Sequence, residues 1–276
     1  MYELDLSRPP SDHVRVTAEG ARTFETAAEI YDRHVGRYGA ALAVAHVDHL
    51  DVRPSDDVLD VGCGPGALSL ALAGIVGAEH VCAVDPSESF VEACRARLPG
   101  ADVRVAPAEQ LPVFGRQFAV ASSQLVVNFM TDPEAGVRAM KETVRCRGTV
   151  ASVVWDYAGE MTMLRAFWDA ALEIDPDAPD EGRTMRYCTP AELRSLWLRC
   201  GLVGVDTAAL VVEATYADFE DFWSPFPTGI APSGAYCASL ASGRREALAD
   251  ACWRRLGSPA GSFTLPARAW LVRGTA

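Results

Sequence analysis

Along residues 58–155 the apolar positions fall into short β-branched runs, and after each the period changes from strand-like to helix-like. Val58 to Val61 reads as a buried strand that ends in Gly62, Gly64 and Gly66. The next residues, Ala67, Leu68, Leu70, Ala71, Leu72, Ile75 and Val76, are too apolar for a solvated helix, so the glycines join a buried strand to a buried helix. Val81 to Val84 gives a second strand, and Ser87 caps a helix whose Phe90, Val91, Cys94 and Leu98 share a face before Pro99-Gly100 stops it. Val103 to Pro112 holds a third strand and a loop. A fourth strand is expected over Phe118 to Phe129, then an N-cap, Asp132, with Pro133 in the first helical position and Val137, Met140 and Val144 along one face. Thr149 to Trp155 is the fifth strand.

On either side the pattern changes. Residues 1 to about 20 are polar, and Phe24 to Leu50 is helical, with Ile30, Val35, Leu42, Val44 and Val47 among Tyr31, Arg37 and Tyr38. That segment either closes over a ligand held at the strand ends or simply covers one sheet face. His46 and His49, at i, i+3, read as a solvated helix face because no third ligand is in view. Beyond Trp155, an apolar face of Met161, Met163, Leu164, Phe167, Trp168 and Leu172 precedes Asp175 to Gly182, which reads as a solvated acidic loop. Thr189-Pro190-Ala191-Glu192 is a capping box, and its helix stops at Gly201. An alternating strand (Val203 to Glu213), a proline-rich loop (Ser224 to Gly234), a helix (Arg244 to Leu256) and a last strand (Phe263 to Val272) follow. The expected division is an N-terminal helical segment, 1–50, and a main domain, 51–276, with a cofactor half to about 157 and a substrate half from about 158.

A chain of 276 residues suits one α/β domain with an elaborated cap. The net charge of −12, with Lys141 the only lysine, leaves no basic stripe for a nucleic-acid backbone. Eight cysteines show no C-x-x-C and no pairing with histidine, which suits a reducing compartment and offers no metal site. The polar start lacks a signal-peptide pattern and no run approaches a membrane span, so a cytoplasmic protein is expected.

The glycine loop carries the first chemistry. Glycine removes the Cβ and permits positive φ, so a ligand can lie against bare backbone, and the helix N-terminus favours an anionic or carboxylate-bearing one. Gly62-x-Gly64-x-x-Ala67 also satisfies the permissive dinucleotide fingerprint. Asp85, at the end of the second strand, is spaced to receive two ribose hydroxyls, and Glu109, beside Ala108 and Leu111, to meet an adenine edge.

Together, DVGCGPG with Asp60, Asp85 after the second strand, Ala108-Glu109 after the third and the DPEAGVRAM helix before VVWD resemble the class I S-adenosylmethionine-dependent methyltransferases. The likeness is to the small-molecule branch with the ubiquinone/menaquinone-type enzymes. The resemblance covers residues 25 to 157, and more loosely the rest. It implies a Rossmann-like, seven-stranded mixed sheet with helical lid insertions, and S-adenosyl-L-methionine as cofactor with S-adenosyl-L-homocysteine as product. It implies that Asp60, Gly62, Cys63, Gly64 and Gly66 cradle the methionine part, that Asp85, Pro86 and Ser87 form the ribose corner, and that Ala108, Glu109 and Gln110 meet the adenine. Gln124 would lie near the sulfonium, with Tyr31 and Arg37 closing over the cofactor and Arg37 pairing with its carboxylate.

For the acceptor, Trp155, Trp168, Trp223 and Phe226 are the expected lining, against the reading that aromatics at helical spacing are core. A general base is needed only for a protonated acceptor, and Asp156, Tyr157 and His34 are the candidates, with a turn-capping role open for Asp156. The expected partner is a small-molecule methyl acceptor in specialised metabolism, with no nucleic acid or membrane, and the chain a monomer or homodimer. The rivals are a nicotinamide-dependent oxidoreductase and a non-catalytic cofactor-binding regulatory module. Two departures from the family pattern stand out: Arg145-Cys146-Arg147-Gly148 replaces the usual Arg-Pro-Gly-Gly, and Phe118-Ala119 the usual Phe-Asp.

Overall fold

Strands β1 (Val58–Val61), β2 (Val81–Asp85), β3 (Asp102–Val105), β4 (Phe118–Gln124) and β5 (Val144–Trp155) run parallel in the computed structural model, which describes residues 35–276. β6 (Val203–Tyr216) and β7 (Phe263–Thr275) extend the same sheet, in the order β3-β2-β1-β4-β5-β7-β6, with β7 antiparallel to both neighbours. All of β1 and β2 is buried, because helices cover both faces of a parallel sheet, which is why these strands read as unbroken apolar runs. β6, at the edge, alternates buried and exposed positions over its second half, and its sequence alternates with it.

Among the described residues the helices are α1 (Gly39–Val47), α2 (Ala67–Val76), α3 (Glu88–Arg97), α4 (Pro133–Thr143), α5 (Thr162–Ile174), α6 (Glu181–Thr184), α7 (Pro190–Arg199), α8 (Phe219–Trp223), α9 (Ala231–Ser239) and α10 (Ser242–Arg255). The expected caps form: Ser87 accepts from Phe90 N–H, Asp132 from Ala135 N–H and Thr189 from Glu192 N–H.

Three expectations change. β4 ends at Gln124 rather than Phe129, because Leu125 takes φ +65° and a 3-10 turn over Val127–Phe129 follows. His46 is fully buried, not solvated: its Nε2 lies 3.0 Å from Ser122 Oγ and burial pushes its pKa down to about 3, so it packs as a neutral ring. The acidic loop is not all solvated either. Asp180 and Glu181 are buried, Asp180 capping α6 through Gly182 N–H and pairing with Arg165 at 2.7 Å.

The departures at 145–148 stay local. Arg147 takes a left-handed φ of +64°, Arg145 pairs with Asp56 at 2.9 Å, and a Cβ on Gly148 would stand 2.8 Å from Arg145 O and from Val144 Cβ.

Candidate active site

The chain runs outward from β1 to β2 and β3, then returns to β4 beside β1, so the sheet opens a crevice between β1 and β4 at their C-terminal ends. The loops after these strands touch there. A Cβ on Gly62 (φ +74°) would lie 2.4 Å from Val126 Cγ2, and one on Gly66 (φ +99°) 2.9 Å from Cys94 Sγ, so both glycines are required by packing. Gly64 (φ +51°) differs: a Cβ there meets nothing within 4 Å, so it points into open space beside the crevice.

Asp60 lies directly beneath this loop and is fully buried. Its Oδ2 accepts from Ser69 Oγ at 2.6 Å, while Oδ1 has no partner. Burial pushes its pKa up to about 7, the Ser69 hydroxyl opposing and the Asp85 carboxylate adding to the rise. Asp85 accepts from Gly64 N–H and from Ser87 N–H, each at 2.9 Å, one bond to each oxygen. Burial raises its pKa while the two amides oppose. Each oxygen retains a lone pair for a ligand hydroxyl.

Two more buried polar atoms at the strand ends lack a partner among the described residues. Gln124 donates from Nε2 to Gly39 O at 3.0 Å and its side chain also hydrogen-bonds the buried His46 ring, whereas Asn128 leaves Oδ1 and Trp155 its indole N–H unpaired. Buried polar atoms are overwhelmingly paired in folded proteins, so the orphans on Asp60, Asn128 and Trp155 are candidate ligand contacts. Asn128 lies in the apolar stretch Phe118 to Phe129, whose pattern predicts strand and so hides it. Its Nδ2 donates to Tyr157 Oη at 3.4 Å and approaches Met185 Sδ at 3.7 Å, bringing together the segments after β4, after β5 and after α6.

Other expected site residues are placed differently. Arg37 forks onto Asp221 (2.8 and 3.1 Å) and lies 4.1 Å over the Tyr216 ring, so its guanidinium is held at β6 and α8 rather than presented to a cofactor carboxylate. Asp156 takes the turn-capping role rather than that of a base: it accepts from Gly159 N–H, Glu160 N–H and the Arg268 guanidinium, the last at 2.6 Å. Glu109 accepts from Asp132 N–H at 3.1 Å and so ties its loop to the start of α4. Ala108 and Cys63 are buried, whereas Pro86 and Gln110 are exposed. Tyr31 and His34 lie outside the described residues.

Of the four aromatic positions, Trp168, Trp223 and Phe226 come together around Phe167. Phe226 stacks on it at 4.4 Å, Trp223 lies at 6.4 Å, and Trp168 meets it edge-on at 5.1 Å. Rings packed this closely on one another act as core. Trp155 is separate, edge-on to Tyr38 at 5.8 Å, beneath the β5 end.

Among the described residues no group of His, Cys, Asp and Glu could hold a metal, and no helix is long and apolar enough to cross a membrane.

Comparison with known proteins agrees with this geometry. Residues 58–148 match the family model described as "Methyltransferase domain". A malonyl-(acyl-carrier protein) O-methyltransferase of Pseudescherichia vulneris is 32% identical over 152 residues, 54% of this chain and 58% of that relative. One from Dechloromonas aromatica is 26% identical over 265 residues, 92% and 91% of the two chains. The chain spans about half the length of the first curated relatives it matches. A solved SAM-dependent methyltransferase of Thermotoga maritima shares the fold, with a TM-score of 0.54 at 19% identity over 93% of this chain and 99% of that one.

Proposed function

We propose that this chain, which carries a methyltransferase domain on the class I fold, transfers a methyl group from S-adenosyl-L-methionine to a small-molecule acceptor. The observation that carries the reading is Asp60: a buried carboxyl with an unpaired oxygen, under a glycine loop that leaves open space at Gly64. A cofactor with an ammonium group gives that oxygen its missing donor and a counter-charge, and bare backbone at Gly64 lets a carboxylate-bearing chain approach. The residues present therefore fit the cofactor. Asp60 and the glycines hold its methionine end, Asp85 its ribose hydroxyls through the free lone pairs, and Ala108 and Glu109 flank the adenine.

When bound, the cofactor supplies an activated methyl on a cationic sulfur. The chain's own work is to orient the acceptor and exclude water, and alignment alone accounts for much of the rate in such a transfer. Asn128 Oδ1, buried and without a partner, is the candidate negative dipole end for this cationic region. Tyr157, whose hydroxyl meets Asn128 Nδ2, is the acceptor-side candidate for proton handling; Asp156 is not, because its oxygens are engaged.

The test is methyl transfer from labelled S-adenosylmethionine, read as S-adenosylhomocysteine formed. The reference acceptor is a malonyl carrier-protein thioester, which the names of the two relatives suggest, beside a panel of small amines, phenols and acids. Product with an acceptor of the small-molecule panel supports the reading, product with the carrier-protein thioester alone supports methyl transfer but overturns the small-molecule acceptor, and none with any acceptor from protein that binds the cofactor favours a non-catalytic role.

A further inference from the structure

Two free thiols meet beneath the glycine loop. Cys63 stands between Gly62 and Gly64, and Cys94 lies on α3, close enough that a Cβ on Gly66 would come within 2.9 Å of its Sγ. Both belong to one buried cluster with Ala83, Val91 and Val103, Cys94 fully covered and Cys63 6% exposed. The thiols hydrogen-bond each other, and Cys94 also hydrogen-bonds the Ser69 hydroxyl. Ser69 Oγ in turn donates to Asp60 Oδ2 at 2.6 Å, so a continuous chain of hydrogen bonds runs from the Cys63 sulfur to the buried carboxyl.

A single buried cysteine packs as a small apolar residue. A hydrogen-bonded pair does more, because the two sulfurs can share one proton. The bond from Cys63 holds the Cys94 thiol below its usual range against burial, and the same bond, with burial, raises Cys63. The first proton therefore leaves readily, the second stays between the sulfurs, and either sulfur can carry the charge. The departing proton has a path through Ser69 to Asp60, whose pKa burial brings to about 7.

The pair is also tied to the crevice through the backbone. Cys63 N–H donates to Val84 O at 2.9 Å, Cys63 O accepts from Gly66 N–H at 2.9 Å, and Gly64 N–H donates to Asp85. A displacement of Cys63 is thus passed to the residues that face the crevice.

We propose that Cys63 and Cys94 are a modification site, oxidised by a peroxide to a disulfide that draws the glycine loop onto α3 and closes the crevice to its ligand. The thiolate of Cys63, the less covered sulfur, attacks one peroxide oxygen; an S–O bond forms, the O–O bond breaks, and the leaving oxygen departs as water with the thiol's proton. The Cys94 sulfur then displaces the remaining oxygen, which leaves as a second water with the second proton. Two thiols lose two electrons and hydrogen peroxide gains them. A covalent S–S bond is shorter than a hydrogen-bonded contact, so loop and helix must approach, and a binding site tolerates shifts of only about 0.5 Å. The regulatory half of the proposal rests on the reading of this crevice as the cofactor site.

The experiment treats the full chain with stoichiometric hydrogen peroxide, maps the product by peptide mass without reduction, and measures S-adenosylhomocysteine binding by calorimetry before oxidation, after it, and after dithiothreitol. The expected result is a peptide pair joined through Cys63 and Cys94 and lighter by two hydrogens, with affinity weakened about tenfold or more and restored by dithiothreitol. Cys94→Ser, which keeps a hydrogen-bonding group beside Ser69, should bind S-adenosylhomocysteine before and after peroxide alike. Absence of the joined peptides overturns the proposal, as does a joined product of undiminished affinity, or a peroxide-induced loss of affinity in Cys94→Ser; the cofactor reading stands in each case. Failure of the reduced chain to bind S-adenosylhomocysteine overturns the cofactor reading and the control of binding with it, while the peptide masses still decide the disulfide. The masses and affinities of the unaltered chain decide even if the variant does not fold.

Discussion

The Gly64 N–H donates to the Asp85 carboxylate at 2.9 Å, tying the open position of the glycine loop to the end of β2. With the Ser87 N–H on its other oxygen, Asp85 fixes the conformation of two loops before any ligand arrives. Asp85→Ala therefore does two things. It removes the expected ribose acceptor and leaves two partly buried N–H groups unpaired, which should cost about 1–3 kcal/mol of stability in urea unfolding. Loss of S-adenosylhomocysteine binding in this variant identifies a ribose contact only if the folded fraction is measured alongside; an unchanged unfolding midpoint would show that the loop does not depend on Asp85.

Two glycines two residues apart should respond differently to alanine. At Gly62 the added methyl meets the Val126 side chain at 2.4 Å and a φ of +74°, so Gly62→Ala should lose about 2–4 kcal/mol or fail to fold. Gly64→Ala meets no atom and carries only the conformational strain, about 1–2 kcal/mol. It should stay folded yet lose cofactor affinity, because its methyl enters the space a ligand needs. Circular dichroism melts and calorimetry on both variants check this.

Asp60 makes ligand affinity depend on pH. Its folded pKa is raised to about 7, so the stability of the neutral form is fully present below the unfolded value near 4 and is lost as pH rises through 7. The ligand-free Asp60→Asn variant, permanently neutral, should be more stable than the parent at pH 8 by about 2–4 kcal/mol, with the gain vanishing toward pH 4. An ammonium beside Asp60 favours the carboxylate, so S-adenosylhomocysteine binding should tighten between pH 6 and pH 8 with release of a proton. That dependence should be absent in Asp60→Asn. Calorimetry in buffers of different ionisation enthalpy measures the proton directly.

Asp156 should prove structural. Asp156→Ala leaves two turn amides and the Nε and Nη2 of Arg268, which is 24% exposed and keeps Glu160 on Nη1, without their partner, and a loss of about 1–3 kcal/mol is expected. Its cofactor affinity should match that of the parent. A large fall in turnover with unchanged stability would instead return Asp156 to the role of base.

The proposed cofactor end of the crevice is the part whose backbone the sequence makes legible, because it is built from local rules. A buried strand, glycines at positive φ and a carboxylate at a strand end leave their marks at fixed spacing, and Asp60, Gly62, Gly66 and Asp85 stand where the pattern put them. The acceptor end depends on which loops meet across the sheet, which no local pattern encodes. Asn128 was hidden by an apolar run that a positive φ at Leu125 cuts short. Glu181 was hidden among acidic residues that normally face water, whereas it is buried and accepts from the Trp168 indole N–H. His46 was misread for the same reason, since its partner Ser122 is 76 residues away.

The measurement that tests the central claim most directly is calorimetric titration of the folded chain with S-adenosylhomocysteine and, separately, with NAD. Micromolar binding of the first, weakened in Asp60→Asn at pH 8, and none of the second is the predicted result. Binding of NAD alone, or of neither by folded protein, would contradict it.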